Sequence, residues 1–172
     1  MRRSHHLRAV AWRAARTPLT LALPTSGIVQ GTATVSAFDK QPEFARLRAV
    51  LPHGAANGVT VGASVAINGT CLTVTEQRGD ELCFDLIVET LRATSLGGLT
   101  VGSRVNFERS ARVGDEVGGH NVSGHVHTTA VISVVEETPS NRRVVFKVPR
   151  ALMKYILPKV RSCSALCVRR HA

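Results

Sequence analysis

Aromatic side chains are scarce: Phe, Tyr and Trp together make up 4% of the 172 residues, with a single Trp and a single Tyr. Acid is missing altogether from both ends. Residues 1–23 carry Arg2, Arg3, Arg8, Arg13 and Arg16, and residues 160–172 carry Arg161, Arg169 and Arg170, without one Asp or Glu. These arginines account for most of the formal charge of +10, leaving 14 basic against all 12 acidic side chains between Pro24 and Lys159. A nucleic-acid binder shows its basic footprint on the folded body, often with exposed aromatics. A body this near to neutral excludes that class. Long apolar runs are also lacking, so no segment reaches the length needed to span a membrane. Four cysteines (Cys71, Cys83, Cys163, Cys167) are too few for a disulfide framework at this length, and Cys71 and Cys83, within strand-like runs, read as buried thiols of a reduced, cytoplasmic protein. No glycine-rich phosphate loop, dinucleotide fingerprint or G-x-S-x-G elbow occurs.

What is present is β-structure. From Gly27 onward, runs rich in Val, Ile, Thr and Leu follow one another: GIVQGTATVSA, ARLRAVL, SVAI, TCLTVTE, ELCFDLI, SRVNFE, SGHVHTTAVISVVEE and RVVFKV. Turn signals such as Pro52-His53-Gly54, Asn57-Gly58 and Arg78-Gly79-Asp80 separate them. Short strands at this spacing predict a small closed or nearly closed barrel. Two segments break the pattern, and each predicts a short helix: Val88 to Leu96 and Arg150 to Leu157. The most informative run is Ser64 to Glu76, in which Asn68-Gly69 joins two strands by a tight turn of positive φ. Alternation sends Thr70, Leu72 and Val74 to one face and Cys71, Thr73 and Thr75 to the other. Val61-Gly62-Ala63-Ser64-Val65 and Val101-Gly102-Ser103-Arg104-Val105 echo each other as turns that feed a strand.

Histidines crowd the second dense block, DEVGGHNVSGHVHTT, at His120, His125 and His127. Alternation places His125 and His127 on one face with Ser123, but no acid or thiol completes a ligand set, so no metal is expected. Cys163, Cys167 and His171 have a ligand-like spacing without a fourth partner, and the bland reading of a tail is preferred. A histidine among glycines and hydroxyls suits proton transfer. Residues 1–25 are basic and acid-poor, as in a transit peptide, yet contain little serine before Thr25; an extension with no fold of its own is the favoured alternative.

Taken together the residues resemble riboflavin synthase of the α-chain type and the related lumazine-binding proteins. The resemblance runs through Gly27-Ile28-Val29-Gln30-Gly31, Gly62 to Gly69, Cys71 to Thr75, Phe84-Asp85-Leu86 and Glu89-Thr90-Leu91-Arg92. It continues through Val105-Asn106, Glu108-Arg109, Gly118-Gly119-His120, Ser123-Gly124-His125, Thr128-Thr129-Ala130 and Leu152 to Leu157. The fold it implies is all-β, a six-stranded Greek-key closed barrel with two short helices. In the family two such barrels and a helix form one chain, and the chains form a trimer. On this resemblance residues 26–149 are the lumazine-binding barrel, 150–159 a linking helix and 160–172 a divergent tail.

The activity implied is the dismutation of two molecules of 6,7-dimethyl-8-ribityllumazine, without cofactor or metal, to riboflavin and 5-amino-6-ribitylamino-uracil. Substrate-binding positions carried over from the family are Gly27, Ile28, Val29, Cys71, Leu72, Thr73, Asp85, Leu86, Ile87, Val88, Glu89, Thr90, Gly124, His125, Val126 and Lys159. His125 is assigned to proton transfer, and Ser64, Cys71 and Thr73 to positioning or nucleophile delivery; His120 is expected to be structural. Two departures stand out. Thr25 occupies the place of a family aromatic, and after Lys159 the second barrel's hairpin is replaced by VRSCSALCVRRHA. The expectation is therefore a riboflavin synthase-like chain with one barrel, partnered by itself as a trimer or dimer. The alternative is a non-catalytic lumazine- or flavin-binding module.

Overall fold

The computed structural model describes residues 28–111 and 123–156, together with the backbone of residues 6–11 and 166–169. Gly27, His120, Lys159, Cys163 and His171 lie outside the described residues. The first strand, β1 (His6–Ala11), falls in the basic extension, whose sequence is partly compatible with a helix. Six further strands follow: β2 (Gly31–Lys40), β3 (Phe44–Val50), β4 (Ser64–Ile67), β5 (Thr70–Arg78), β6 (Glu81–Ile87) and β7 (Arg104–Arg109). They close into a barrel in the order β2-β3-β6-β5-β4-β7, with β7 pairing back onto β2. All pairings are antiparallel, and the steps from β3 to β4 and from β6 to β7 each pass over two strands. This is the small closed barrel that the spacing of strands predicts, with the six strands that the resemblance implies. A closed sheet leaves no free edge, which removes the aggregation hazard of unpaired strands.

Every second residue of each strand fills the interior. Val35, Leu47, Val65, Ile67, Val74, Leu82, Phe84, Leu86 and Val105 are all buried there. Each such side chain contributes about 1.5–3 kcal/mol by leaving water. The β4–β5 hairpin turns at Asn68 (φ 46°) and Gly69 (φ 73°), the paired positive angles that an Asn-Gly turn supplies. The Asn68 side chain is buried and accepts the Asn106 N–H at 2.8 Å, which locks the turn against β7. Between β6 and β7 the chain forms the helix α1 (Val88–Ala93) and a 3-10 turn, Ser95–Gly98. Leu96 from that turn is fully buried and belongs to the barrel core. Thr94 holds the join, donating to the Thr90 carbonyl at 2.6 Å and accepting from the Leu96 N–H at 3.2 Å.

The barrel closes earlier than the sequence reading has it. Both edges of β7 are taken, by β2 and by β4, so β8 (Thr128–Glu137) and β9 (Arg142–Lys147) cannot enter. They form a separate four-stranded sheet in the order β1-β9-β8-β10, where β10 is Leu166–Arg169 and runs parallel to β8. The boundary expected at 149 thus includes a hairpin that the closed barrel excludes. Ala130, Val144, Phe146 and Val148 make a second, smaller core, with Leu152, Met153 and Ile156 packed against it. The last three come from the segment expected to be helical; Arg150–Tyr155 forms a 3-10 helix after Pro149. Among the described residues no helix is long and apolar enough to cross a membrane.

Candidate functional site

The β4–β5 hairpin sends its apolar side inward. Leu72 and Val74 lie in the barrel core, while Thr73 and Thr75 are exposed and Cys71 is half-buried on the outside. The polar face of small side chains is therefore the outer wall of the barrel. The lumen is closed to ligands, being packed with Phe84, Leu47, Ile67 and their neighbours.

On that outer wall the register sets a grid. Thr73 stands opposite Ser64, and Cys71 stands opposite Ala66. Across the other edge of β4, Ala66 is opposite Glu108. The next position is a serine too: Ser110 donates through N–H (3.3 Å) and Oγ (2.9 Å) to the Ser64 carbonyl. Strands lie about 4.8 Å apart, so Cys71 and Glu108 are separated by roughly 10 Å.

Each side of this grid is bounded by a segment from elsewhere in the chain. On the β5 side, Val74 donates to the Ala63 carbonyl at 2.9 Å, so alternation turns the Cys71 and Thr73 amides away from β4. Pairing of β5 with β6 reaches only as far as Val74–Phe84. Beyond it the Cys71 N–H donates to the Gly124 carbonyl at 3.0 Å, and Gly124 is buried in that position with φ +70°. The His125 N–H donates to Ser123 Oγ at 3.3 Å, and its ring is exposed. Thus the histidine segment meets the hairpin although about fifty residues separate them in sequence. On the β7 side lies the arm of Ile28, Val29 and Gln30. Gln30 N–H donates to the Phe107 carbonyl at 3.1 Å, and Arg109 N–H donates to Gln30 Oε1 at 3.0 Å.

The remaining candidates divide by exposure. Ile28 (51%), Val29 (44%), Ile87 (65%) and Val88 (45%) are large apolar side chains open to solvent, as an apolar ligand's wall requires. Leu72 and Leu86 turn their side chains into the barrel core, so only their backbone is left to the outer surface. Asp85 is exposed and bound to Arg46 through two hydrogen bonds of 2.8 and 3.2 Å. Glu89 pairs with Arg92 one helical turn on, and that guanidinium holds its carboxyl below the usual carboxylate range. Thr90 is half-buried and lends its carbonyl to Thr94, and Val126 is half-buried beside His125. Glu108 belongs to the resemblance but has no role in the sequence reading. It stands at an outward position of β7 yet is 2% exposed, and nothing in VNFER announces that burial.

A family profile described as "Lumazine binding domain" matches residues 26–110, the stretch that closes the barrel. The barrel belongs to the lumazine binding domain family. The chain is 50% identical over 135 residues to riboflavin synthase of Escherichia coli (strain K12), covering 78% of this chain and 63% of that protein. Riboflavin synthase of Bacillus subtilis (strain 168) is 37% identical over 134 residues, covering 78% of this chain and 62% of the relative. The chain therefore spans less than two thirds of the length of these curated relatives. Among solved structures, a crystal structure of LumP complexed with riboflavin superposes with a TM-score of 0.69 at 28% identity, covering 77% of this chain and 72% of that chain. A structure of LumP complexed with 6,7-dimethyl-8-(1'-D-ribityl) lumazine gives a TM-score of 0.66, also at 28% identity, covering 73% of this chain and 69% of that chain.

Proposed function

We propose that the outer wall of this lumazine binding domain takes 6,7-dimethyl-8-ribityllumazine and that the chain acts as a riboflavin synthase. The single observation that carries the reading is the Cys71–Gly124 hydrogen bond, which fastens the His125 segment beside the hydroxyl and thiol grid of Ser64, Cys71 and Thr73. Dismutation starts by removing a proton from the 7-methyl group of one lumazine, which a neutral imidazole can accept. The resulting anion is delocalised over the ring, and backbone N–H groups and hydroxyls stabilise it without a metal. A four-carbon unit then passes from one lumazine to the other, leaving riboflavin and 5-amino-6-ribitylamino-uracil, so nothing need be supplied from outside. In this proposal His125 moves the proton. Ser64, Cys71 and Thr73 position the ligand, with Ile28, Val29, Ile87 and Val88 against its apolar ring. Asp85, Glu89, Thr90, Gly124, Val126, Gly27 and Lys159 complete the substrate set. Two substrates must meet, so two copies of the chain, as a dimer or within a trimer, are part of the proposal. A cytoplasmic location is supported by the two unpaired thiols Cys71 and Cys83.

Incubating the chain with the ribityllumazine while following ligand fluorescence and riboflavin appearance tests the reading. Turnover in the native chain, and a loss of 100-fold or more in His125→Ala with the ligand still bound, is the expected result. His125→Ala retaining full turnover removes the histidine from proton transfer. The second reading, a binding module without turnover, is favoured by the LumP likenesses, which are complexes with riboflavin, the ribityllumazine and flavin mononucleotide. Binding without riboflavin formation would select it.

A further inference from the structure

Resting on the proposed lumazine site, we infer that Glu108 is its positioning residue: a buried carboxylate that holds the Ile28–Val29 arm in place by accepting the Ile28 N–H. Glu108 follows Phe107, whose side chain is in the barrel core, so alternation turns Glu108 outward, onto the same wall as Ala66 and Cys71. An outward glutamate on a small barrel is ordinarily solvated, and carboxylates are seldom buried without hydrogen-bonding partners. Here it is 2% exposed, and its Oε1 accepts the backbone N–H of Ile28 at 3.4 Å.

The neighbouring bonds give that acceptor its purpose. Three consecutive residues of β7 bind the arm: Phe107 through its carbonyl, Glu108 through its side chain and Arg109 through its N–H. The two backbone partners both grip Gln30, and among these three bonds only Glu108 reaches as far as Ile28. Ile28 and Val29 precede β2 and have no ladder of their own, yet their apolar side chains stand open to solvent at the edge of the grid. A segment with little apolar burial has little to offset the entropy of being ordered, so a specific bond must hold it in place. Ordering it in advance reduces what the ligand must supply on binding. Glu108 thus sets the wall that faces Cys71 across β4, without itself having to touch the lumazine.

The test compares Glu108→Gln, which retains an acceptor oxygen at the same reach, with Glu108→Met, which retains the length and lacks it. Two quantities are read on the full chain: amide exchange at Ile28 by NMR, and affinity for 6,7-dimethyl-8-ribityllumazine by fluorescence titration. Glu108→Met is expected to speed Ile28 exchange at least tenfold and weaken the lumazine at least tenfold, with exchange at Leu47 and Phe84 unchanged. Glu108→Gln is expected to stay within threefold of the native chain on both. Unchanged Ile28 exchange in Glu108→Met overturns the inference, as does unchanged affinity, or Glu108→Gln falling as far as Glu108→Met. Should Glu108→Met lose protection in the barrel core as well, Glu108→Asp, one methylene shorter, takes its place with the same expectations. Absence of lumazine binding by the native chain sinks the proposed function and the site role with it, while Ile28 exchange still decides whether Glu108 holds the arm.

Discussion

At the scale of single residues, the two described thiols have different surroundings and should behave differently. Cys71 is half-buried on the outer wall, whereas Cys83 is buried, opposite Arg48 on β3 and Glu76 on β5. Burial pushes the Cys83 thiol up, and the nearby charges of Glu76 and Glu81 push it further in the same direction. A folded pKa above the unfolded one means that the fold favours the protonated thiol. That contribution is complete below the ordinary thiol value of about 8.5 and is lost as pH rises through the folded value. As pH rises from about 8.5 towards the folded value, the urea midpoint of the native chain should therefore fall more steeply than the midpoint of Cys83→Ala. Parallel curves for the two proteins would show that burial of this thiol has no part in alkaline stability. The sequence reads both cysteines as buried thiols, and Cys83 is buried while Cys71 is only half-buried. Alternation places Cys71 on the polar face of its hairpin but does not say how far neighbouring segments cover that face.

At the scale of elements, what sequence reveals and what it hides follow from the range of the interactions. The β4–β5 hairpin was legible in full, since Asn68-Gly69 fixes the turn and the turn fixes the register. The end of the barrel was not. Thr128–Glu137 alternates much as Gly31–Lys40 does, and period alone cannot say which sheet a strand joins; that depends on whether β7 has an edge to offer. Likewise the helix expected from Val88 to Leu96 breaks after Ala93, because Thr94 spends its hydroxyl on the Thr90 carbonyl and restarts the chain as a 3-10 turn. The glycines in that turn differ in a way that can be measured. A Cβ on Gly97 would run into the backbone carbonyl oxygen of Leu91, whereas a Cβ on the adjacent Gly98 meets nothing within 4 Å. Gly97→Ala should therefore cost about 1–3 kcal/mol in unfolding free energy, as overpacking does. Gly98→Ala should stay within about 0.5 kcal/mol of the native chain, as at other open surface positions. Equal effects at the two positions would mean that α1 and the turn shift to accommodate the methyl group.

For the whole molecule, the decisive asymmetry is between a closed sheet and an open one. The barrel satisfies every strand edge internally and surrounds a continuous core from Ala33 to Phe107. The four-stranded sheet keeps β1 and β10 as edges, buries the short cluster of Ala130, Val144, Phe146 and Val148, and leaves Val131, Val134 and Val135 exposed. Opening free energy follows buried apolar contact and protected backbone bonding, so the two parts should open separately. Exchange at Val144 and Phe146 is expected to be at least 100-fold faster than at Leu47 and Phe84. The Cys71–Gly124 bond ties the histidine segment to the stable part, although that segment leads directly into β8 of the less stable part. Protection at Cys71 should therefore track the sheet rather than the barrel in which it resides, and a ligand that binds across β5 and His125 should raise protection at Val144 along with it. Uniform exchange across both sheets would instead make the molecule one cooperative unit, and the site would then draw no order from its ligand.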